Sequence, residues 1–262
     1  MILILGGTHE GKKISALMNE MGLTHQLSVA TDLGKKTYED VNTQCIVKQF
    51  TEASLYSHIR AEQIDCVIDA THPHALEIKK VAKFACKKAA IKYIRYERPA
   101  IVTETSMIQN LNSYKTMEDI ISTLRDQQKP DDKYLITGTK HIKAFYEVFP
   151  KEKCFFRIMP SVYSLKICEE LDVPLRNIIA IKAPFPLQLN LTLFATYQIT
   201  HFIFKNSGEG SAYESNLEAI ENSEVQGLVL SLDSPLEADS VADIEMLRRV
   251  LNTTMENGGE YA

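Results

Sequence analysis

Along the chain, short apolar runs alternate with segments whose apolar positions recur every three or four residues. The runs predict strands over 1–5, 26–30, 45–47, 66–69, 92–95, 134–137, 155–158, 178–181, 201–204 and 228–231. After the first of them, Ile14, Leu17, Met18 and Met21 fall at i, i+3, i+4 and i+7, one face of a helix. Further helices are expected near 52–62, 73–90, 116–127, 161–171, 187–197, 212–221 and 239–251. Alternation of this kind builds parallel sheets covered by helices. Ten strands are too many for one compact sheet in 262 residues, so the expected fold is α/β with two domains and a ligand cleft between them. The polar stretch Asp126–Lys133 is the natural divide, giving domains of residues 1–128 and 129–262. The sequence carries no evident internal repeat.

Composition narrows the class. With 45% hydrophobic and 24% charged residues the chain is of the folded, globular kind. No apolar run approaches the ~18 residues of a membrane span. The N-terminal MILILGGT lacks a basic lead-in and a small-residue cleavage site, so it reads as a buried strand rather than a signal peptide. Cys45, Cys66, Cys86, Cys154 and Cys168 form no CxxC pair, which points to the reducing cytoplasm and away from a disulfide framework or structural zinc. A net charge of −5 argues against a nucleic-acid-coating role. The charge is uneven: residues 1–130 carry 17 Lys+Arg against 15 Asp+Glu, and residues 131–262 carry 12 against 19. Lys79, Lys80, Lys83, Lys87, Lys88 and Lys92 surround the apolar stripe Ile78, Ala82, Ala85 and Ala89 and read as a solvated helix face.

Ligands of open α/β sheets bind off the carboxyl ends of the strands. After the first strand comes Gly6-Gly7-Thr8-His9-Glu10-Gly11, leading into a helix. Glycines let the backbone approach a phosphate, and the helix start offers N–H groups to it. Position 8 is Thr where the dinucleotide fingerprint has its middle glycine, so a tight turn without a ligand is the competing reading. The second strand ends at Ala30-Thr31-Asp32, where an acid binds the adenine ribose hydroxyls; Asp32 leans towards NADH over NADPH, although Lys35 and Lys36 follow. The fourth strand runs into Asp69-Ala70-Thr71-His72-Pro73-His74-Ala75, with Pro73 expected to open a helix capped by Thr71 or His72. His72-x-His74 lacks a third ligand at metal spacing, so no metal is expected. In Arg95-Tyr96-Glu97-Arg98-Pro99 two arginines three apart suit carboxylates or phosphates, the competing reading being an Arg–Glu surface pair through Glu97. Thr137-Gly138-Thr139-Lys140, Arg157-Ile158-Met159-Pro160 and Lys205-Asn206-Ser207-Gly208 each set a cation at a strand end as well. Together these ends predict a cationic cleft for a polyanion, which a dinucleotide or a polycarboxylate would satisfy.

GGTHEG at 6–11, DATHPHA at 69–75, RYERP at 95–99, TGTK at 137–140, RIMP at 157–160, APF at 183–185 with Asn190, and KNSG at 205–208 resemble, in order and spacing, the precorrin-6A reductase family of cobalamin biosynthesis. DATHP and RYERP are its specific motifs; the glycine turn alone is not. ATDLG at 30–34 is similar to members acting on the cobalt-containing ring, so the resemblance implies cobalt-precorrin-6A as substrate. It further implies two Rossmann-like domains, the first a dinucleotide-binding one, and reduction of the ring's C18–C19 double bond by NADH or NADPH. Hydride would go to C19 and a proton to C18. Carried over to this chain, Gly6, Gly7, Thr8, Glu10, Asp32, Thr71 and Pro73 would bind the cofactor. Arg95, Arg98, Thr139, Lys140, Arg157, Lys205, Ser207 and Gly208 would bind the tetrapyrrole's carboxylates, and His72 would donate the proton or orient the substrate. The chain departs from the family at Lys182-Ala183-Pro184-Phe185, at 211–218 and at Asp233-Ser234-Pro235, losing positive charge there.

A short-chain dehydrogenase needs Tyr-x-x-x-Lys, and none of the eleven tyrosines supplies it. Uroporphyrinogen-III synthase would share two α/β domains but leaves the glycine turn unexplained. A non-catalytic dinucleotide or tetrapyrrole sensor of the same fold is the standing alternative. No nucleic acid or membrane partner is expected, and the chain is read as a monomer or weak homodimer.

Overall fold

The computed structural model describes residues 1–39, 43–97, 108–183, 185–206, 212–231 and 240–257, the side chains of 254–257 excepted. The chain divides into two compact units, Met1–Pro99 with Ser234–Ala262, and Ala100–Asp233.

The first unit begins with β1 (Ile2–Leu5), α1 (His9–Glu20), β2 (His25–Val29), α2 (Asp32–Lys36) and β3 (Gln44–Val47). It continues through α3 (Glu52–Ala61), β4 (Cys66–Asp69), α4 (Leu76–Ala89) and β5 (Lys92–Tyr96). The second unit opens with β6 (Leu111–Tyr114), α5 (Met117–Asp126), β7 (Tyr134–Thr137), α6 (Ile142–Tyr146), β8 (Cys154–Ile158) and α7 (Val162–Glu170). It is completed by β9 (Ile178–Ala180), α8 (Leu187–Tyr197), β10 (His201–Lys205), α9 (Ala212–Glu221) and β11 (Gln226–Leu230). β12 (Ser240–Val241) and α10 (Ile244–Asn257) then return to the first unit.

Each unit holds one six-stranded parallel sheet, ordered β3-β2-β1-β4-β5-β12 and β9-β8-β7-β10-β11-β6. Both follow the doubly wound order, with the topological switch between β1 and β4 in one and between β7 and β10 in the other. The architecture therefore repeats although the sequence does not. In β1, Ile4 packs on one face with Ile14, Met18, Leu27 and Ile68, while Leu3 and Leu5 pack on the other with Leu55, Val67 and Ala82. Helices cover both faces, which is why the strands read as unbroken apolar runs. The second sheet does the same, with Ile136, Phe156 and Ile203 on one side and Leu135, Phe155, Phe202 and Phe204 on the other.

The expected divide at 128/129 is corrected: it falls within the second unit, between α5 and β7. Leu111 pairs with Gly227 and Tyr114 with Leu230, so β6 and the helix after it belong to the second sheet. Ser240 pairs with Arg95, which takes the C-terminal segment back to the first. The polar stretch 126–133 is a helix-to-strand connection inside one unit. β6 and β12 are the outermost strands of their sheets and escape the pattern because β6 buries only Leu111 and β12 has two residues. α2 and α6 span five residues each, too few to display a period. Among the described residues no helix is long and apolar enough to cross a membrane.

Candidate functional site

In the first unit the register brings the carboxyl ends of β1, β2 and β4 level, with Leu5 opposite Ser28 and Asp69. The chain then turns through Gly6-Gly7-Thr8 into α1. Gly7 has φ +113°, and a Cβ there would meet nothing within 4 Å, so its outer face is open. Thr8 is the N-cap of α1 but makes no side-chain cap; its hydroxyl instead donates to the Ala70 carbonyl across the switch point at 2.8 Å. An uncapped helix start beside an open glycine is the arrangement that receives a phosphate. Glu10, in the first turn of α1, is buried and lines a narrow crevice with Thr8, Thr71, Pro73 and Arg95. Asp32 is exposed in the first turn of α2, which Thr31 caps through the Gly34 N–H; Lys35 and Lys36 follow, also exposed.

The turn after β4 is wired from beneath. Asp69 is fully buried and Arg95, its register partner on β5, is 2% exposed. Arg95 Nη1 donates to Asp69 Oδ1 at 2.9 Å and to the Asp69 carbonyl at 3.0 Å, and Nη2 donates to the Thr71 carbonyl at 2.8 Å. Nη2 also pairs with Glu97 at 3.2 Å, and Glu97 pairs with Lys79 at 2.9 Å. Tyr93 donates to Asp69 Oδ2 at 2.7 Å, and the Thr71 hydroxyl donates to Asp69 Oδ1 at 2.6 Å. Arg95, expected on substrate carboxylates, is thus corrected to an internal brace: two carboxylates of the chain already neutralise it. The pair with Glu97 is real, but buried rather than at the surface. The expected cap at Thr71 or His72 is corrected too. α4 starts at Leu76 with Ala75 as N-cap, because Asp69 captures the Thr71 hydroxyl and the Ala75 N–H closes a turn onto the His72 carbonyl at 2.8 Å. His72 is exposed, and its Nδ1 accepts the His74 N–H at 3.2 Å, which leaves the proton of the neutral ring on Nε2.

The second unit presents another chemistry. Thr137 lies opposite Arg157, and Gly138, at φ +86°, bonds to the Arg157 carbonyl. Arg157 is 4% exposed. Its Nη1 donates to Asn190 Oδ1 at 2.6 Å and Nη2 to Asn216 Oδ1 at 2.9 Å, while Phe185 and Phe202 offer ring faces 4.1 and 4.9 Å from the guanidinium carbon. Among the described residues no carboxylate pairs with it, and burial pulls its pKa down to about 9. Close to the switch point, Lys205 is pulled down by burial and by Lys140. Burial, then Lys205 and Lys140, lowers His141 to about 4. Three basic groups and a half-exposed Thr139 thus share the β7–β10 end. A group held this short of its counter-charge is suited to an incoming anion. A wider groove along α7, lined by Val162, Leu165, Lys166 and Leu175, holds none of these groups.

The structure therefore gathers Gly6, Gly7, Thr8, Glu10, Thr71, Pro73 and His72 at one switch point, and Thr139, Lys140 and Lys205 at the other, with Arg157 on β8. Arg98, Ser207 and Gly208 lie outside the described residues, as do Pro184 and Asp233-Ser234-Pro235. Tyr38, His141 and Asn216 went unremarked as site residues. Asn216, in α9, serves Arg157. Among the described residues no three of His, Cys, Asp and Glu gather as a metal site.

The profile of the family described as "Precorrin-6x reductase CbiJ/CobK" matches residues 1–252. A cobalt-precorrin-6A reductase of Methanococcus maripaludis is 31% identical over 217 residues, covering 81% of this chain and 84% of its own. One of Priestia megaterium is 27% identical over 222 residues, covering 84% and 85%. Among solved structures, "CobK precorrin-6A reductase" superposes with a TM-score of 0.74 at 20% identity over 96% of each chain, which bears on the fold.

Proposed function

The chain belongs to the precorrin-6x reductase family, and on that premise we propose that it reduces the C18–C19 double bond of cobalt-precorrin-6A at the expense of a reduced nicotinamide nucleotide. The observation that carries the reading is Arg157, a buried guanidinium held by amides and aromatic faces with no carboxylate partner among the described residues. A substrate rimmed with acetates and propionates supplies the missing counter-charge.

Gly6, Gly7, Thr8 and the start of α1 would hold the nucleotide's phosphates, and Asp32 the adenine ribose, with NADH favoured over NADPH. The open face of Gly7 and the uncapped helix fit that group. Glu10, a buried carboxylate, suits hydroxyls rather than phosphates. When bound, the nicotinamide supplies the hydride for C19. The chain's part is to align and to exclude water: Thr71 and Pro73 border the crevice, and Arg95 holds Thr71 in place. His72 is the proposed donor to C18, as the imidazolium, which returns to the neutral ring on giving up its proton, or the orienter of the substrate. Arg157, Lys140, Lys205 and Thr139 would share the substrate's carboxylates, joined by Arg98, Ser207 and Gly208. The reading keeps the protein in the cytoplasm as a monomer or weak homodimer.

The test is anaerobic incubation with cobalt-precorrin-6A and NADH or NADPH, followed by nucleotide oxidation and product mass. A gain of two hydrogens supports the reductase, and the ratio of the two rates reports on Asp32. Nucleotide binding without turnover, on the metal-free substrate as well, would replace it with the sensor.

A further inference from the structure

Tyr38, which belongs to none of the motifs above, packs into the glycine turn. It lies two residues past the end of α2 and is 2% exposed. Its hydroxyl accepts the Gly7 N–H at 2.8 Å and donates to the Thr8 carbonyl at 2.5 Å. The same hydroxyl stands 2.9 Å from where a Cβ on Gly6 would lie, and a Cβ on Gly11 would collide with it. Gly6 in the turn and Gly11 in α1 are therefore required by this tyrosine. Gly7 is required for a different reason, its positive φ, and faces open space.

We propose that Tyr38 is the positioning residue of the nucleotide site, pinning the Gly6–Gly7 and Thr8–His9 peptides on either side of the turn so that the first N–H groups of α1 are aimed at a phosphate. The inference rests on the nucleotide reading above. One hydroxyl bridges two peptide planes, accepting from the Gly6–Gly7 N–H and donating to the Thr8–His9 carbonyl, so neither plane can rotate without breaking its bond to Tyr38. Burial raises the phenol's pKa, which keeps the donor proton in place at neutral pH. Tyr38 also follows directly on the segment that carries Asp32, Lys35 and Lys36. The hydroxyl thereby ties the proposed ribose end of the site to its phosphate end.

Tyr38→Phe removes the hydroxyl and keeps the ring. Expected is a rise of about tenfold in the Kd of the reduced nucleotide, read by its fluorescence. In turnover the loss falls on the nucleotide KM, with kcat and the tetrapyrrole KM far less affected; a merely structural role would not divide them so. Gly11→Ala is expected to lower the melting temperature of the wild type markedly and that of the Tyr38→Phe protein much less, since the collision is with the oxygen. Unchanged nucleotide affinity in Tyr38→Phe overturns the proposal, as does an equal loss from Gly11→Ala in both backgrounds. If Tyr38→Phe does not fold, Gly11→Ala decides alone: displacing the hydroxyl must weaken nucleotide binding, and unaltered affinity overturns the proposal. A wild-type protein that binds neither NADH nor NADPH defeats the nucleotide reading itself, a failure distinguished by its independence of any variant.

Discussion

Among the described residues each unit buries one arginine near the carboxyl end of its sheet, and the two are treated oppositely. Arg95 meets Asp69 and Glu97, with the Asp69 and Thr71 carbonyls besides, so its charge is neutralised inside the unit. Arg157 is nearly as buried but, among the described residues, meets the oxygens of Asn190 and Asn216 and two ring faces and no carboxylate. Amides satisfy the hydrogen bonds of a guanidinium without cancelling its charge. The first arrangement makes a rigid turn; the second leaves a positive charge with no carboxylate partner among the described residues, with Lys140 and Lys205 adding theirs at the neighbouring strand ends. A motif rich in arginine is therefore not by itself a binding site: what decides is whether the chain provides the counter-ion.

The most damaging test of this contrast is Arg95→Met. It strands Asp69 in the core and should lower stability by about 3–5 kcal/mol in urea unfolding. A loss confined to substrate affinity would instead return Arg95 to the ligand. Arg157→Met should do the reverse, lowering kcat/KM for the tetrapyrrole about ten- to a hundredfold, or about 1.5–3 kcal/mol, while costing less stability than Arg95→Met. Equal destabilisation by both, with no kinetic effect from Arg157→Met, breaks the comparison.

The charge left in the second unit should also be visible in the pH dependence of stability. His141 sits near 4 against an ordinary 6.5, chiefly because it is buried, with Lys205 and Lys140 lowering it further and Glu118 opposing them. Because the folded state holds the proton more weakly, this contribution is complete above pH ~6.5 and is lost as the pH falls towards ~4. Urea titrations of His141→Gln should lose that part of the acid decline. A bound polycarboxylate should raise the His141 pKa, followed by its ring resonances; no movement would mean that the anion binds elsewhere. The smallest effect belongs to the first unit. Asp32→Ala should shift the NADH-to-NADPH rate ratio by about 1 kcal/mol or less towards NADPH, since Asp32 is exposed.

Much of this was legible in the sequence. β4, β7, α8 and α9 fall on the expected boundaries, because interior parallel strands are unbroken apolar runs and these helices end at clear polar or proline breaks. The strand ends that carry Gly6-Gly7-Thr8, Asp69-Ala70-Thr71 and Thr139-Lys140 were legible for the same reason. The assignment of Arg95 was not. Asp69 and Arg95 are 26 positions apart, and their pairing follows only from the β4–β5 register.

By itself, then, the sequence determined that strands alternate with helices, that the strands are parallel, and that polar and charged residues stand where strands end. These are properties of local periodicity and of the residue that follows each apolar run. Tertiary structure decided three other things: that β12 closes the first sheet and β6 the second, that Arg95 finds carboxylates while Arg157 finds amides among the described residues, and that Tyr38 shapes the glycine turn. Each depends on which residues distant in the chain become neighbours, and burial and hydrogen bonding act between neighbours in space rather than in order.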